Sequence, residues 1–311
     1  MHLRAHAKVN LALSVGGPLP PGSAGAGFHP IASWMACLDL HDDVTVEALP
    51  ASSVSSYDIA WASDAPRPTP IDWPIESDLM VRAHRRLEAS LGRSLPVKIT
   101  LRKRIPVGGG LGGGSSDAAT VILGVRRAYE LDPDPSVIAA AAESIGSDVP
   151  FFLDADADPP RPALVTGLGE RVERVPTVPA SAILVIPPFS CPTAEVYKAL
   201  DREPSFEPLP APNVGLVRLL IRRAVESGRI DPSTCFNALT APSCLVEPRL
   251  SAVIEAVTAI GGQQAHLSGS GSGVFIVGPA ELVHEAQVRL STNLSDHPVL
   301  AGCRVLRSML V

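Results

Sequence analysis

Alternation of apolar and polar residues predicts a β-strand close to the start of the chain. In AKVNLALSV, Val9, Leu11 and Leu13 alternate with Lys8 and Asn10, which is the period of a strand with two distinct faces. The side chains of the lysine and the asparagine are then expected on the same side. Further strands are predicted for VKITL (97–101), ALVTG (163–167), AILVI (182–186) and the final segment from 303 onward.

Apolar residues three and four positions apart predict helices between these strands. The first helix covers about 78–91, where Leu79 and Leu87 share one face. A second begins near Ser115 or Ser116, directly after a glycine-rich loop. Others are predicted at about 136–145, from 193 onward, and at about 214–227, 247–260 and 280–291. Because helices and strands do not alternate regularly, the pattern indicates the α+β class.

The length of 311 residues favours two domains of roughly 150 residues each. The polar, proline-rich stretch DADADPPRP at 154–162 is the best candidate for a boundary between them. We therefore predict an N-terminal domain over residues 1–160 and a C-terminal domain over residues 161–311.

Composition and charge exclude several classes of protein. Apolar residues make up 46% and charged residues 19% of the chain, which excludes wholesale disorder. A net charge of -6 argues against a general nucleic-acid or anionic-membrane binder, although a local anion site is still allowed. The longest apolar run, Val137–Ala142, is far shorter than the ~18 residues of a membrane span. Five scattered cysteines without a C-x-x-C pair indicate reduced thiols, and we predict a cytoplasmic protein.

The most distinctive segment is IPVGGGLGGGSSDAA, in which six of the seven residues from Gly108 to Gly114 are glycine. Glycine lets successive backbone N–H groups point into one concavity without Cβ clashes. A following helix adds unpaired N–H groups and the positive end of its dipole. The segment therefore predicts a phosphate cradle. A flexible hinge is the alternative, but hinges rarely lie between a strong strand and a strong helix.

Two common phosphate-binding loops do not fit this segment. A Walker A loop ends in Gly-Lys-Ser/Thr, whereas Gly114 is followed directly by Ser115. The pattern G-x-G-x-x-G is matched formally by Gly108, Gly110 and Gly113. In that motif an acidic residue ends a second strand, but here the acidic residue ends the helix itself. Both alternatives fail on their structural context.

Three ordered motifs resemble those of the GHMP kinase family. PVGGGLGGGSSDAA resembles the second family motif, AKVNLAL at 7–13 the first, and HLSGSGSGVF at 266–275 the third. The resemblance spans most of the chain. It implies an α+β fold with a ribosomal protein S5 domain 2-like N-terminal domain and a ferredoxin-like C-terminal domain. The active site is then expected in the cleft between the two domains.

Within this family, the chain is most similar to the branch that phosphorylates the 2-hydroxyl of a cytidine diphosphate-linked methylerythritol in the non-mevalonate isoprenoid pathway. The matching segments are GFH at 27–29, GSDVPF at 146–151 and PTAEVY at 192–197. The resemblance implies ATP with Mg²⁺ and a monomer or homodimer, and it identifies no metal ligands. The alternatives are another small-molecule kinase, of the homoserine or mevalonate type, and a catalytically silent nucleotide-binding sensor.

Lys8 and Asp148 are the candidate catalytic residues. A carboxylate at Asp148, between a helix end and the apolar VPFFL, could accept a proton from a substrate hydroxyl or could be an ordinary cap. A lysine beside a carboxylate keeps it charged and offsets developing charge, whereas a surface lysine is the alternative for Lys8. The resemblance implies that the two form the catalytic pair and that Asn10 positions the substrate. Their presence weighs against the silent sensor.

The resemblance also assigns residues to the substrate. Phe28 and Tyr197 are expected to sandwich the cytosine ring, and His29 to form a hydrogen bond with its edge. Stacking on a base is worth about 1–3 kcal/mol. Thr193 either caps a helix or contacts a substrate phosphate.

The nucleotide-binding residues implied by the resemblance lie in the second and third motifs. The ATP-binding set is Lys103, Pro106, Gly108, Gly109, Gly110, Leu111, Gly112, Gly113, Gly114, Ser115 and Ser116. The third-motif loop, expected against the phosphates or forming only a tight hairpin, is Ser268, Gly269, Ser270 and Gly271. The chain departs from the family where Asp78-Leu79 replaces the usual Asn-Leu near the adenine.

Overall fold

Two β-sheets organise the chain in the computed structural model, which describes residues 1–203, 209–294 and 296–311. The described strands are β1 (His2–Val15), β2 (Ile31–Ala48), β3 (Ser56–Trp61), β4 (Val97–Lys103), β5 (Ala163–Gly167), β6 (Arg171–Arg174), β7 (Ser181–Ile186), β8 (Phe236–Asn237), β9 (His266–Leu267), β10 (Val274–Gly278) and β11 (Arg304–Met309). The described α-helices are α1 (Leu79–Leu91), α2 (Gly113–Ala128), α3 (Pro135–Glu143), α4 (Val149–Phe152), α5 (Thr193–Arg202), α6 (Val214–Ser227), α7 (Thr240–Val246), α8 (Arg249–Gly261) and α9 (Ala280–Asn293).

The large sheet is built around β1 and β2. Its order is β3-β4-β2-β1-β8, and β5 pairs with the start of β2 and carries β6 on its other edge. The central β1–β2 pair is antiparallel, whereas β3–β4 and β1–β8 are parallel. The small sheet has the order β11-β7-β10-β9 and is antiparallel throughout.

Strand β1 is covered on both faces. From Ala5 to Val15 every residue is buried, because α1 and α2 pack over one side of the large sheet while α6 and the small sheet pack over the other. The alternation that predicted this strand is therefore correct, but its polar face does not meet bulk water: Lys8 and Asn10 are 3% and 2% exposed. Register shifts in the β1–β2 ladder lie on both sides of this pair. Such bulges commonly redirect side chains beside functional sites.

Most predicted elements are confirmed, and their ends differ by a few residues. Helix α6 has the bounds predicted for it, and α1 begins one residue after Asp78, whose carboxylate accepts a 2.9 Å hydrogen bond from the Met80 backbone N–H. Helix α2 begins at Gly113, two or three residues before the predicted Ser115 or Ser116. Helices and mainly antiparallel strands do not alternate regularly, which confirms the α+β class. In the described ranges, no helix is both long and apolar enough to cross a membrane.

The division at residue 160 stays a prediction. Strands β5 and β6 lie beyond it and pair within the large sheet, as does β8. The first residue of the polar stretch at 154–162, Asp154, is buried, with 4% of its surface exposed. Its carboxylate accepts hydrogen bonds from the Arg161 guanidinium at 2.8 Å and from the Arg161 backbone N–H at 3.1 Å. The Arg174 guanidinium lies 3.4 Å from the same oxygen.

The buried carboxylate of Asp154 makes stability depend on pH. Burial opposes its charge, but the hydrogen bonds from Arg161 and the charge of Arg174 outweigh burial and lower the pKa from 3.8 to about 2. Because the pKa is lower in the folded state, this stabilisation is present above pH ~4 and is lost as the pH falls towards ~2.

We predict that Asp154→Asn lowers the free energy of unfolding at pH 7 by about 1–2 kcal/mol. The difference from wild type should shrink as the pH falls from about 4 to about 2. Thermal unfolding at several pH values measures both effects. Asp156→Asn is the matched control, since the Asp156 side chain is 84% exposed. An equal loss in both variants would contradict the assignment.

Candidate active site

A cleft of about 650 Å³ lies where the first half of the chain meets the second. Its walls include the Lys8–Asn10 segment of β1, the glycine loop before α2, Asp148 before α4, and Thr193 and Tyr197 of α5. Gly269 and Ser270 of the third motif also line it. Most residues predicted for the site therefore meet in one cleft. Ser116, Ser268, Gly271, Phe28 and His29 are outside its described lining.

The glycine loop reaches its shape through left-handed backbone at alternate positions. Gly108, Gly110 and Gly112 have φ of 74°, 68° and 71°, values that side-chain-bearing residues rarely adopt. Gly112 precedes α2 and offers no side chain as a cap. The first N–H groups of a helix have no intrahelical acceptor, and the first residues of α2, Gly113, Gly114 and Ser115, line the cleft. This is the backbone arrangement that binds phosphate.

The second and third motifs are joined by hydrogen bonds. Backbone N–H groups of Ser272 and Gly273 donate to the carbonyls of Gly108 and Gly109 at 3.2 and 3.1 Å. The Ser268 hydroxyl donates to the Gly110 carbonyl at 2.9 Å. A Cβ at Gly110 would overlap the Ser268 carbonyl oxygen, so this contact requires glycine. The third motif is thus both a turn and a support for the cradle.

Asn237 fixes the third motif to the large sheet. Its amide donates to the carbonyls of Leu267 and Gly269 at 2.8 and 2.7 Å. Because Asn237 pairs with Leu13 in the β1–β8 ladder, the loop is held beside the strand that carries Lys8. Sequence analysis did not find Asn237, since a two-residue strand leaves no periodic pattern.

Lys8, Asn10 and Asp148 form a connected polar group. The Lys8 amine donates to the Asn10 side-chain oxygen at 2.7 Å and lies 3.4 Å from an Asp148 carboxylate oxygen. The Asn10 amide donates to the Ser33 hydroxyl at 2.8 Å, and Ser33 in turn donates to the Ala12 carbonyl. Ser33 therefore orients the Asn10 side chain, and Asn10 in turn orients the Lys8 amine.

The two members of the charged pair differ in exposure. The Lys8 side chain is 3% exposed, whereas that of Asp148 is 27% exposed and faces the cleft. A buried ammonium close to a carboxylate provides positive charge where an oxygen develops negative charge. The arrangement can remove a proton from a hydroxyl group bound in the cleft.

Helix α5 supplies a second wall. The Thr193 hydroxyl is 2.8 Å from the Ser270 hydroxyl, which links α5 to the third motif. Thr193 is the first residue of α5, and no side chain caps this helix start. Of the two predicted roles of Thr193, the helix cap is therefore absent. Burial, together with the negative charge of Asp148, raises the pKa of Tyr197 to about 12. Tyr197 is therefore a neutral phenol near pH 7.

His29 lies against Tyr197, and Phe28 does not. The ring centroids of His29 and Tyr197 are 5.1 Å apart, and the Nδ1 atom of His29 is 2.8 Å from the Gly16 carbonyl oxygen. The Nε2 atom is buried and lies 3.2 Å from a carboxylate oxygen of Asp201. Phe28 is 66% exposed. The structure thus brings two of the three predicted base-binding residues together.

Lys103 is engaged by two carboxylates. Its amine lies 2.7 Å from Asp42 and 2.6 Å from Asp117, and all three side chains are buried. Burial alone would lower the pKa of Lys103, but the charges of Asp117 and Asp42 outweigh it and raise that pKa. Asp42 also accepts hydrogen bonds from the backbone N–H groups of Arg104 and Ile105. This geometry favours a support for the start of the glycine loop over a direct contact with phosphate.

Candidate metal ligands are few. Among residues 1–203, 209–294 and 296–311, no group of three or more His, Cys, Asp or Glu side chains is arranged to hold a metal ion. Asp148 presents a partly exposed carboxylate to the cleft. Magnesium commonly takes one or two carboxylates together with phosphate oxygens and water, so this donor set suits a metal that arrives with a nucleotide.

Comparison with known proteins identifies the family, and the matching family model contains the glycine loop. The N-terminal domain of the GHMP kinases matches residues 78–155. A protein of Pelotomaculum thermopropionicum named 4-diphosphocytidyl-2-C-methyl-D-erythritol kinase is 33% identical to this chain, with 95% of each chain covered. The chain belongs to the 4-diphosphocytidyl-2-C-methyl-D-erythritol kinase family. The resemblance to GHMP kinases stated from the sequence is confirmed.

Solved structures show that other kinases share this fold. A crystal structure of 4-(cytidine 5'-diphospho)-2C-methyl-D-erythritol kinase is 31% identical, with a TM-score of 0.73 and coverage of 100% of this chain and 99% of that chain. The mevalonate kinase of Methanococcus jannaschii has a TM-score of 0.62 at 13% identity, covering 100% and 98%. The second likeness shows the shared fold alone.

The overlap at Gly110 predicts a position-specific effect of alanine. We expect Gly110→Ala to lower the thermal unfolding midpoint strongly, because its Cβ would meet the Ser268 carbonyl and its φ of 68° disfavours alanine. Gly109→Ala is the matched control, since its nearest neighbour would be 3.6 Å away, an ordinary contact. Equal midpoints for the two variants would contradict the described packing of the loops.

Proposed function

We propose that this chain transfers the γ-phosphoryl group of ATP to the 2-hydroxyl of 4-diphosphocytidyl-2-C-methyl-D-erythritol. The observation that carries the proposal is the Lys8–Asp148 pair facing the glycine cradle in one cleft. Membership of the kinase family supports the substrate.

Asp148 accepts the proton of the substrate hydroxyl as that oxygen attacks the γ-phosphorus. Its partly exposed carboxylate lines the cleft. General-base catalysis of this kind contributes roughly 100- to 10,000-fold. Lys8, 3.4 Å away, offsets negative charge on the reacting oxygens during the transfer. Asn10 holds the lysine amine through its side-chain oxygen and helps to position the substrate.

The glycine cradle holds the phosphates of ATP. Its backbone N–H groups and the start of α2 stabilise negative charge without requiring further cationic side chains. Asp148, whose partly exposed carboxylate lines the cleft, would share in holding a magnesium ion, which would neutralise charge on the phosphate oxygens. Transfer is direct and in line, because positioning and electrostatic stabilisation supply most of the catalysis of phosphoryl transfer.

The cytidine end of the substrate lies at α5. Tyr197 stacks on the cytosine ring, His29 contacts its edge, and the exposed Phe28 closes over the opposite face when substrate binds. Thr193 and Ser270, already 2.8 Å apart, lie beside the substrate diphosphate. We propose that the enzyme acts in the cytoplasm, as a monomer or a homodimer.

Replacing the proposed base isolates the chemical step. We predict that Asp148→Asn lowers kcat by roughly 100- to 10,000-fold while changing the KM for the cytidylyl substrate little, because the amide preserves shape but cannot accept the proton. A coupled ATP turnover assay with the cytidylyl substrate, mevalonate and homoserine measures this. Asp132→Asn, at a side chain 97% exposed, is the control. Turnover of mevalonate or homoserine in preference to the cytidylyl substrate would contradict the proposed acceptor.

Removing one stacking ring tests the cytosine subsite. We predict that Phe28→Ala raises the KM for the cytidylyl substrate roughly 5- to 150-fold, the equivalent of one base stack, and leaves the KM for ATP unchanged. Phe28 is 66% exposed, so the fold should tolerate the change. Steady-state kinetics with each substrate varied in turn separates the two constants. A rise confined to the KM for ATP would refute this role.

A further inference from the structure

A short turn with the sequence GLGE, residues 167–170, joins β5 to β6 and has no role in the proposed function so far. Gly167 pairs with Ile31 at the start of β2 in an antiparallel ladder. The chain therefore continues from Gly167 alongside the residues that precede Ile31, which include Phe28 and His29. We call residues 167–170 the β5–β6 turn.

The β5–β6 turn is closed by its own hydrogen bonds. The Leu168 backbone N–H donates to a Glu170 carboxylate oxygen at 2.6 Å, and the Gly169 N–H donates to the Thr166 carbonyl at 3.3 Å. A turn fixed in this way can hold the groups that pack against it in one place.

One side of the turn supports the loop that ends at Phe28. A Cβ built on Gly25 would lie 2.7 Å from a Leu168 methyl carbon and 3.4 Å from a Leu19 methyl carbon. The same two loop residues bind the Phe28 backbone. The Leu19 N–H donates to the Phe28 carbonyl at 2.8 Å, and the Phe28 N–H donates to the Gly25 carbonyl at 2.9 Å. Leu168 thus packs where the loop holds Phe28.

This contact is where the loop is least open to solvent. Over residues 18–28, Leu19 and Gly25 are partly buried, and the other residues are exposed. The loop therefore depends on the Leu168 contact for its packing more than on its own side chains. Removing the Leu168 side chain should leave Phe28 without a defined position.

The other side of the turn supports the segment that carries Asp148. Gly169 is buried, and its φ of 113° lies in the region that favours glycine. A Cβ at this position would lie 2.2 Å from the Ser147 carbonyl oxygen. That carbonyl belongs to the peptide bond that leads into Asp148. The backbone of the proposed base therefore rests directly on the turn.

We propose that the β5–β6 turn is a positioning element for the acceptor: Leu168 holds the loop that presents Phe28, and Gly169 holds the backbone that presents Asp148. The turn then sets the separation between the ring that stacks on the cytosine and the carboxylate that takes the proton. This inference rests on the proposed function for the roles of Phe28 and Asp148. A misplacement of about 1 Å at a reacting group can lower a rate roughly 100-fold.

A double-mutant cycle tests the Leu168 contact. Leu168→Ala should raise the KM for the cytidylyl substrate, at most to the roughly 5- to 150-fold expected for Phe28→Ala, and leave the KM for ATP unchanged. Because Leu168 acts through Phe28, the double variant should be no worse than Phe28→Ala alone. Leu168→Met, which conserves volume, should restore the wild-type KM.

Leu282→Ala, at a partly exposed leucine of α9, is the matched control and should leave both KM values unchanged. An unchanged KM for the cytidylyl substrate in Leu168→Ala would overturn the proposal. Effects of Leu168→Ala and Phe28→Ala that multiply in the double variant would also overturn it.

The Gly169 contact is tested through kcat. Gly169→Ala should lower kcat roughly 100-fold with the KM for ATP nearly unchanged, because the new Cβ displaces Ser147 and with it Asp148. Gly92→Ala is the matched control: Gly92 has φ of 61° and no atom within 4 Å of its Cβ position, so alanine adds backbone strain alone. Equal kcat values in the two folded variants would overturn the proposal. If Gly169→Ala does not fold, the Leu168 variants decide.

Binding of CDP, measured by titration calorimetry without turnover, separates this proposal from the proposed function. If none of the three acceptors is turned over but Leu168→Ala weakens CDP binding as Phe28→Ala does, the acceptor assignment is wrong and the role of the turn stands. If the cytidylyl substrate is turned over and Leu168→Ala binds CDP like wild type, the role of the turn is wrong and the proposed function stands. A wild-type protein that neither turns over the acceptor nor binds CDP would overturn both.

Discussion

The close backbone contact between the two glycine loops determines where the rest of the site lies. Gly110 has to be glycine because the Ser268 carbonyl occupies the space of a Cβ, and three hydrogen bonds then hold the loops together. One loop leads into α2, and the other is fixed to β1 through Asn237. The phosphate cradle and the strand that carries Lys8 are therefore positioned by the same contact.

The site also shows how an acidic chain can provide an anion site. The net charge of -6 is an average over the surface, whereas the cradle uses backbone N–H groups that carry no formal charge. The two buried lysines of the site, Lys8 and Lys103, have different surroundings. Lys103 lies between Asp42 and Asp117, so its charge is used within the protein, while Lys8 has a partly exposed partner and remains available to a ligand.

Sequence patterns predicted the parts of the structure that depend on residues close to one another in the chain. The β1 strand, the helix over 214–227 and the glycine cradle each have a short-range signal in period or composition. The roles of Asn237, Ser33 and Asp42 could not be predicted, because each depends on partners far away in the chain. Lys103 illustrates the same limit: its charge suggested a nucleotide contact, but the two carboxylates that surround it come from β2 and α2.

The path of the chain through the large sheet has a consequence for how the protein is made. Strands β5, β6 and β8 complete that sheet, and β8 ends at Asn237. While the chain emerges from the ribosome, the edge of β1 at Ala12 and Leu13 therefore has no strand partner until three quarters of the sequence has been synthesised. Exposed strand edges promote aggregation, so the nascent chain stays vulnerable long after the residues of the glycine cradle have left the ribosome.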